Sequence, residues 1–210
     1  MIKITDKYAI FYTEWPSNFC KTHFKWSAFD EEHEFFCTEQ AFMWAKAKFF
    51  KDEETAKKIL AEEVEPIVCK SLGRQVKNYD DAAWEKVRYE MMLKPNIERF
   101  WQDQVLQKKI IDPKFDGLTF VEASPWDKIW GIGLKQSDPG CEDKSKWKGR
   151  NLLGKVITEA RAEVLNRLNE CYHQDEDARR WIEVSLLDKQ KEAKQWQRKM
   201  KWSAKKKLTA

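Results

Sequence analysis

The sequence predicts an α+β domain, mostly helical, with a few short strands. Three observations lead there. Apolar and polar residues mix at strand period only in short stretches, near residues 2–11, 22–29 and 118–123. From Thr38 onward the apolar period becomes helical and returns in several segments, the clearest over residues 151–168. The last 22 residues then change character. Residues 189–210 carry nine Lys or Arg and one acid, a local charge of +8 inside a chain whose total is +4.

The elements follow in order. Residues 2–11 read as a strand, broken by Trp15-Pro16-Ser17-Asn18-Phe19, because proline removes a donor and restricts its neighbour. Residues 22–29 read as a second strand and Phe35-Phe36-Cys37 as a third. Thr38 is a candidate N-cap for a helix over 38–50, with Glu39 in its first turn. Phe42, Ala45 and Phe49 share one face, while Glu39, Met43 and Lys46 lie on an adjoining one. Asp52 caps the next helix, whose apolar stripe is Ala56, Ile59 and Leu60. Pro66 opens a short helix at its first position and Gly73 is placed to end it. Asp80 or Asp81 caps a longer one with Trp84, Val87 and Met91 facing in. Pro95 starts a further helix carrying Ile97, Phe100, Trp101 and Ile110. Residues 118–123 read as a buried strand and 135–148 as a polar loop with a Pro-Gly turn. In the helix over 151–168, Leu153, Val156, Ile157, Ala160, Val164 and Leu168 recur at helical spacing.

Residues 1–170 therefore form one domain, and 171–210 a basic, Trp-containing helical extension. The extension's charge leaves −4 for residues 1–188. No stretch approaches the ~18 uninterrupted apolar residues of a membrane helix, and the first residues lack the pattern of a secretory signal. Five cysteines (20, 37, 69, 141 and 171) form no CxxC, which argues against a disulfide framework or a zinc site and for a reducing, cytoplasmic setting.

Several features look chemical by themselves. Glu122 and Asp127 follow a strand, where carboxylates are placed to face a cleft. Trp130-Gly131-Ile132-Gly133 comes next, and glycines two apart let the backbone approach a ligand or take positive φ. Arg150 and Asn151 open the long helix, whose N-terminus suits an anion. Gly73-Arg74 supplies another cation. Each has a plain structural alternative: the carboxylates as caps or ion-pair partners, the glycine run as a turn on aromatic packing, Glu39 and Lys46 as a solvated helix side. Neither a GxGxxG fingerprint nor a P-loop is present. His23, His33 and His173 sit at no metal-ligand spacing.

In order, these pieces resemble one family. Phe11-Tyr12 with Pro16-Ser17-Asn18-Phe19 resembles the opening of the NADAR (YbiA-like) N-glycosidases. The run from Thr38 to Ala47 resembles their S-E-H-Y-F-Q-A-Q-K helix. Lys70-Ser71-Leu72-Gly73-Arg74 resembles A-K-x-L-G-R, and Trp84, Arg88 and Met92 match a W-x-x-x-R/K-x-x-x-M helix. Leu118 to Asp127, continuing into Trp130-Gly131-Ile132-Gly133, resembles L-V-E-A-S-x-x-D followed by W-G-x-G. Trp147 to Lys155 resembles W-x-G-x-N-x-L-G-K/R. Gln40 stands where the family usually has His, and Met43-Trp44 replaces a polar step.

The resemblance covers residues 11 to about 168. It implies a YbiA-like fold and hydrolysis of ribose C–N bonds without metal or redox cofactor. Two substrate classes go with it: ADP-ribosylated guanine in a nucleic acid or nucleotide, and early riboflavin-pathway ribosylamino intermediates. Under it, Glu39 takes the acid/base role, Asp127 holds ribose hydroxyls or stabilises positive charge, and Glu122 stands in reserve. Lys46 binds phosphate or forms a Schiff base. Arg74 and Arg150 take phosphate, and Trp84, Trp130 or Phe19 stacks the base. Asn18, Gly131, Gly133 and Asn151 complete the substrate contacts. The competing reading is a non-catalytic module that binds ADP-ribose or another NAD-derived nucleotide. A nucleic-acid partner for residues 189–210 is the second.

Overall fold

The computed structural model describes residues 1–61 and 65–174, together with 183, 184, 187 and 191. Its chain order is two short strands, a hairpin, five helices, a strand and a long helix. It is an α+β fold. The stretch expected as one opening strand is two, β1 (Lys3–Ile4) and β2 (Tyr8–Phe11), paired antiparallel. Thr5 closes the turn between them, its Oγ1 accepting from the Tyr8 N–H at 3.0 Å. β3 (Phe24–Ala28) and β4 (Glu31–Phe35) form a separate hairpin.

α1 (Thr38–Phe49) is buried from Thr38 to Ala45, its polar first turn included. Its N-cap is Cys37, not Thr38: the Sγ accepts from the Gln40 N–H at 3.4 Å. α2 (Glu53–Leu60) is capped by Asp52, as its sequence indicates. α3 (Pro66–Arg74) starts at its proline but runs past Gly73. That glycine is needed for packing rather than termination, because a Cβ there would strike the Sδ of Met43 on α1.

The helix expected to begin at Pro95 is the second half of α4 (Asp81–Gln102), capped by Asp80. Pro95 leaves the Met91 carbonyl without its usual intrahelical donor. The helix continues because Met92, Ile97 and Phe100 on the same rod are buried, and the buried Asn96 amide donates to the Met92 carbonyl at 2.8 Å. Asp103 then caps α5 (Gln104–Ile110) through two N–H groups.

β5 (Thr119–Glu122) pairs parallel with β2, giving the order β1-β2-β5. β5 is thus an edge strand, and α6 (Leu152–Gln174) covers that edge. Thr158 Oγ1 accepts from the Phe120 N–H, and the Asn151 amide just before the helix bridges Phe120 and Glu122. The Ile132 N–H reaches the Glu122 carbonyl at 2.9 Å. The edge is closed by side chains and a loop rather than by another strand. The expected polar loop 135–148 contains two 3₁₀ turns, Pro139–Glu142 and Lys144–Lys146.

The main core lies between α1, α4, α6 and the strands, with Trp44, Phe100, Phe120, Ile157 and Val164 among its fully buried members. α6 crosses the expected boundary at residue 170. The basic extension expected over 171–210 otherwise falls mainly outside the described residues, and residues 189–190 and 192–210 lie wholly outside them. No helix among the described residues is long and apolar enough to cross a membrane.

Candidate active site

Five segments distant in sequence meet at one pocket: the loop after β2, the start of α1, Lys70 on α3, the end of β5 with its following turn, and Leu153 on α6. Its empty volume is about 420 Å³, including its open mouth. Six of the residues expected at a site line it: Asn18, Phe19, Glu39, Glu122, Asp127 and Trp130. The sequence brings them together by anchoring each segment locally. Arg99, fully buried, donates to the carbonyls of Ser17 and Pro16, fixing the Ser17-Asn18-Phe19 turn. The Asn18 carbonyl accepts from the Glu39 N–H at 3.1 Å, tying that turn to the first turn of α1.

Glu39 is 5% exposed. Burial pushes its carboxyl up to about 7, and the nearby Asp127 adds to the rise. Lys70, a hydrogen bond from Asn18, and Arg74 oppose it. Glu122 has its Oε2 fully buried with no hydrogen-bond partner. Burial, then Asp127, raise it to about 8, and Glu39 adds a smaller push; Lys70 pulls the other way. The charge of Asp127 thus raises both glutamates, and Lys70 is set against both.

Asp127 is held by the turn it caps. Its Oδ1 accepts from the N–H groups of Ile129 (2.9 Å) and Trp130 (2.7 Å). This is the cap role its sequence also allows, and it leaves Oδ2 for the pocket. Trp130 packs edge-on against Phe42 at 5.2 Å, and Phe19 stands across the pocket 37% exposed, with Lys70 Nζ 5.6 Å from its ring centre. These are one polar wall and two aromatic surfaces.

Lys70 was not among the expected site residues. It sits four residues before Arg74 on α3, one helical turn away, inside the Lys-Ser-Leu-Gly-Arg run. That spacing was the available signal. Met43 also lines the pocket, one turn after Glu39 on α1, and gives it an apolar patch.

Other expected contacts fall elsewhere. Lys46 is outside the pocket lining. Seven residues put it on the same side as Glu39 but about 10 Å further along the helix. There its Nζ donates to the Gly73 carbonyl at 2.8 Å and lies 4.0 Å above the Tyr79 ring. Burial, and after it Arg88, lower its pKa, while Asp81 opposes. Trp84 is 4% exposed and packed against Phe42 and Phe49, so its face is not available to stack a base. Arg150 is exposed and paired with Glu85 at 2.6 Å. Arg74 is exposed and reaches the pocket only through its field at Glu39.

The start of α6 is not a ready anion site. The N–H groups of Arg150, Asn151, Leu152 and Leu153 donate to the carbonyls of Lys128, Gly131, Ile129 and Trp130, so the first turn has its donors engaged by the preceding loop. Asn151 is 1% exposed and turned to β5. Gly131 and Gly133 do not line the pocket. A Cβ at Gly131 would stand 2.8 Å from Ser124 Cβ, and Gly133 takes φ +68°, so both serve the fold of this loop. Gln40 braces α1 to its neighbours, accepting from the Phe36 N–H and donating to the Ile59 carbonyl, each at 3.0 Å, and so points away from the pocket. Among the described residues no cluster of three or more His, Cys, Asp or Glu is arranged to hold a metal.

Comparison with known proteins gives the family and the fold. A sequence model of the NADAR domain matches residues 3–165. The chain is 38% identical over 135 residues to protein irg-1 of Caenorhabditis elegans, a match spanning 63% of this chain and 62% of that protein's length. It is 36% identical over 172 residues to an N-glycosidase of Acanthamoeba polyphaga mimivirus, covering 76% of this chain and 97% of the relative. Among solved structures, the NMR structure of the E. coli protein YbiA superposes with a TM-score of 0.59. It covers 79% of this chain and 89% of that one at 23% identity, a likeness of fold.

Proposed function

This chain belongs to the NADAR domain family, and we propose that its pocket hydrolyses the C–N bond between a ribose and its base. One observation carries the proposal: buried Glu39 and half-buried Glu122, with carboxyls raised to about 7 and about 8, line the same pocket as Asp127 and Lys70. A carboxyl tuned to neutral pH can hold a proton and release it within one reaction. The relative from mimivirus, named an N-glycosidase, supports the same reading.

The reaction needs three things: a proton for the leaving base, stabilisation of positive charge on the sugar, and a deprotonated water. Glu122, the more strongly raised, donates its proton to the base nitrogen as the C1′–N bond breaks and its electron pair leaves with the base. Asp127 Oδ2 faces the developing charge at C1′. Water forms the new C1′–O bond and gives its proton to Glu39, whose anion is favoured by Lys70 and Asn18. The products are a free base carrying the new N–H and a ribose hemiacetal. Proton return from Glu39 to Glu122 resets the pair. Lys70 meets phosphate, and Trp130 or Phe19 stacks the base.

We infer that the substrate is ADP-ribosylated guanine, in a nucleic acid or nucleotide, or an early ribosylamino intermediate of the riboflavin pathway, acted on in a reducing cytoplasmic setting. The test is product analysis of the purified chain with each substrate, with Asp127→Ala as control. Release of free ADP-ribose selects the first class and release of ribose 5-phosphate the second. Tight binding without release replaces the proposal with a non-catalytic ADP-ribose-binding module.

A further inference from the structure

Trp126 is 84% exposed, next in sequence to the pocket residue Asp127. The turn that carries it is firmly held. Asp127 Oδ1 accepts from the Ile129 and Trp130 N–H groups, the Asp127 N–H donates to Ser124 Oγ at 3.3 Å, and the Lys128 carbonyl accepts from the Arg150 N–H at 2.9 Å. A bare indole on a rigid turn adds nothing to the core and leaves a large flat apolar surface in water.

Two lysines stand beside this turn. The site of a Cβ on Gly133 would lie 3.0 Å from Lys148 Cβ and 3.4 Å from Lys128 Cγ, so the two side chains leave the backbone side by side. Both are exposed, and among the described residues neither takes part in an ion pair. Two adjacent exposed lysines form a small positive surface that attracts an anion. The pocket is open at its mouth, so a ligand longer than the unit it holds must leave over its rim.

We infer that the surface formed by Trp126, Lys128 and Lys148 receives the nucleotide next to the one in the pocket on a single-stranded nucleic acid, the indole stacking its base and the lysines meeting its phosphates. The inference rests on the reading of the pocket as a nucleoside site. A flat ring with unpaired lysines matches the alternation of base and phosphate, which is how sequence-tolerant strand binding is built.

The test is binding of a labelled twelve-nucleotide dT strand to the full chain, followed by anisotropy across a salt series. Trp126→Ala should weaken binding about fivefold or more, and Trp126→Phe should recover most of it. Lys128→Gln with Lys148→Gln should flatten the slope of log affinity against log salt by roughly 1.4, the value for two phosphate contacts on a single strand. These are differences between full-length chains, so the basic residues 189–210 contribute equally to each. Trp126→Ala should leave turnover of a free riboside unchanged. Unaltered strand affinity and slope in these variants overturn the inference, as does an equal loss of turnover on the free riboside. Because the strand carries no scissile adduct, absence of glycosidase activity would overturn the proposed reaction without touching this result.

Discussion

The side-chain amide of Asn151 holds the backbone of Glu122 in place. Its Oδ1 accepts from the Glu122 N–H at 2.9 Å, and its Nδ2 donates to the Phe120 carbonyl at 3.0 Å. Asn151 is 1% exposed and takes φ +54°, a left-handed conformation that asparagine tolerates better than most residues. It completes the open edge of β5 at the point where the strand delivers its carboxylate to the pocket. The substrate contact expected of Asn151 is therefore replaced by a positioning role.

Asn151→Ala should lower stability by about 2–3 kcal/mol in urea denaturation, from two lost buried hydrogen bonds and a strained φ. Asn151→Gly relieves the strain but not the lost bonds, so it should fall between the two. If Glu122 is the proton donor, both variants should lose more in kcat than in KM.

Glu122→Gln and Glu39→Gln should each cut turnover by about 10²–10⁴. In the parent, kcat/KM should peak between about pH 7 and 8, because activity needs one proton on the pair. The acid limb should vanish from the residual rate of Glu39→Gln and the basic limb from that of Glu122→Gln. A pH–rate profile of each variant checks this, and full activity in Glu39→Gln would remove it from the mechanism.

Lys70 and Lys46 should separate cleanly. Lys70 lowers the pKa of both glutamates, so Lys70→Met should move the whole pH profile upward. Lys46→Met should leave the profile in place, since its amine caps the Gly73 carbonyl outside the pocket, and should cost about 1 kcal/mol of stability instead.

The same glutamates make stability depend on pH. Both have folded pKa values above the ordinary 4.5, so the folded state binds more protons than the unfolded one between about pH 4.5 and 8. Their contribution is complete below pH 4.5 and is lost as pH rises through about 7 and 8. Glu122→Gln removes the dependence of one group. Relative to the parent it should gain on the order of 3 kcal/mol between pH 5 and 8. Thermal melts at the two pH values measure it.

Gly73→Ala should destabilise by about 1–3 kcal/mol, because its Cβ meets the Met43 sulfur where α3 crosses α1. Met43→Ala added to it should recover part of the loss, a coupling that a double-mutant cycle reads directly.

The sequence by itself determined most of the elements and much of the pocket. Strand and helix periods, Asp52 and Asp80 as caps, and Pro66 as a helix start are local properties, set by one residue and its near neighbours. The motifs likewise marked Asn18, Phe19, Glu39, Glu122, Asp127 and Trp130, each at a turn or an element end. Pro95 could not be read locally, since burial of Met92, Ile97 and Phe100 along α4 outweighs a missing hydrogen bond. The direction of each side chain was not local either. Glu39 and Lys46 share a helix side, yet two turns of rise send one to the pocket and the other to the end of α3. Arg150 and Asn151 read as an anion site, yet the loop 128–131 had already engaged the donors there. Only the tertiary structure set Lys70 against the glutamates, because their pKa values depend on burial and on charges from three segments, and no stretch of sequence contains them all.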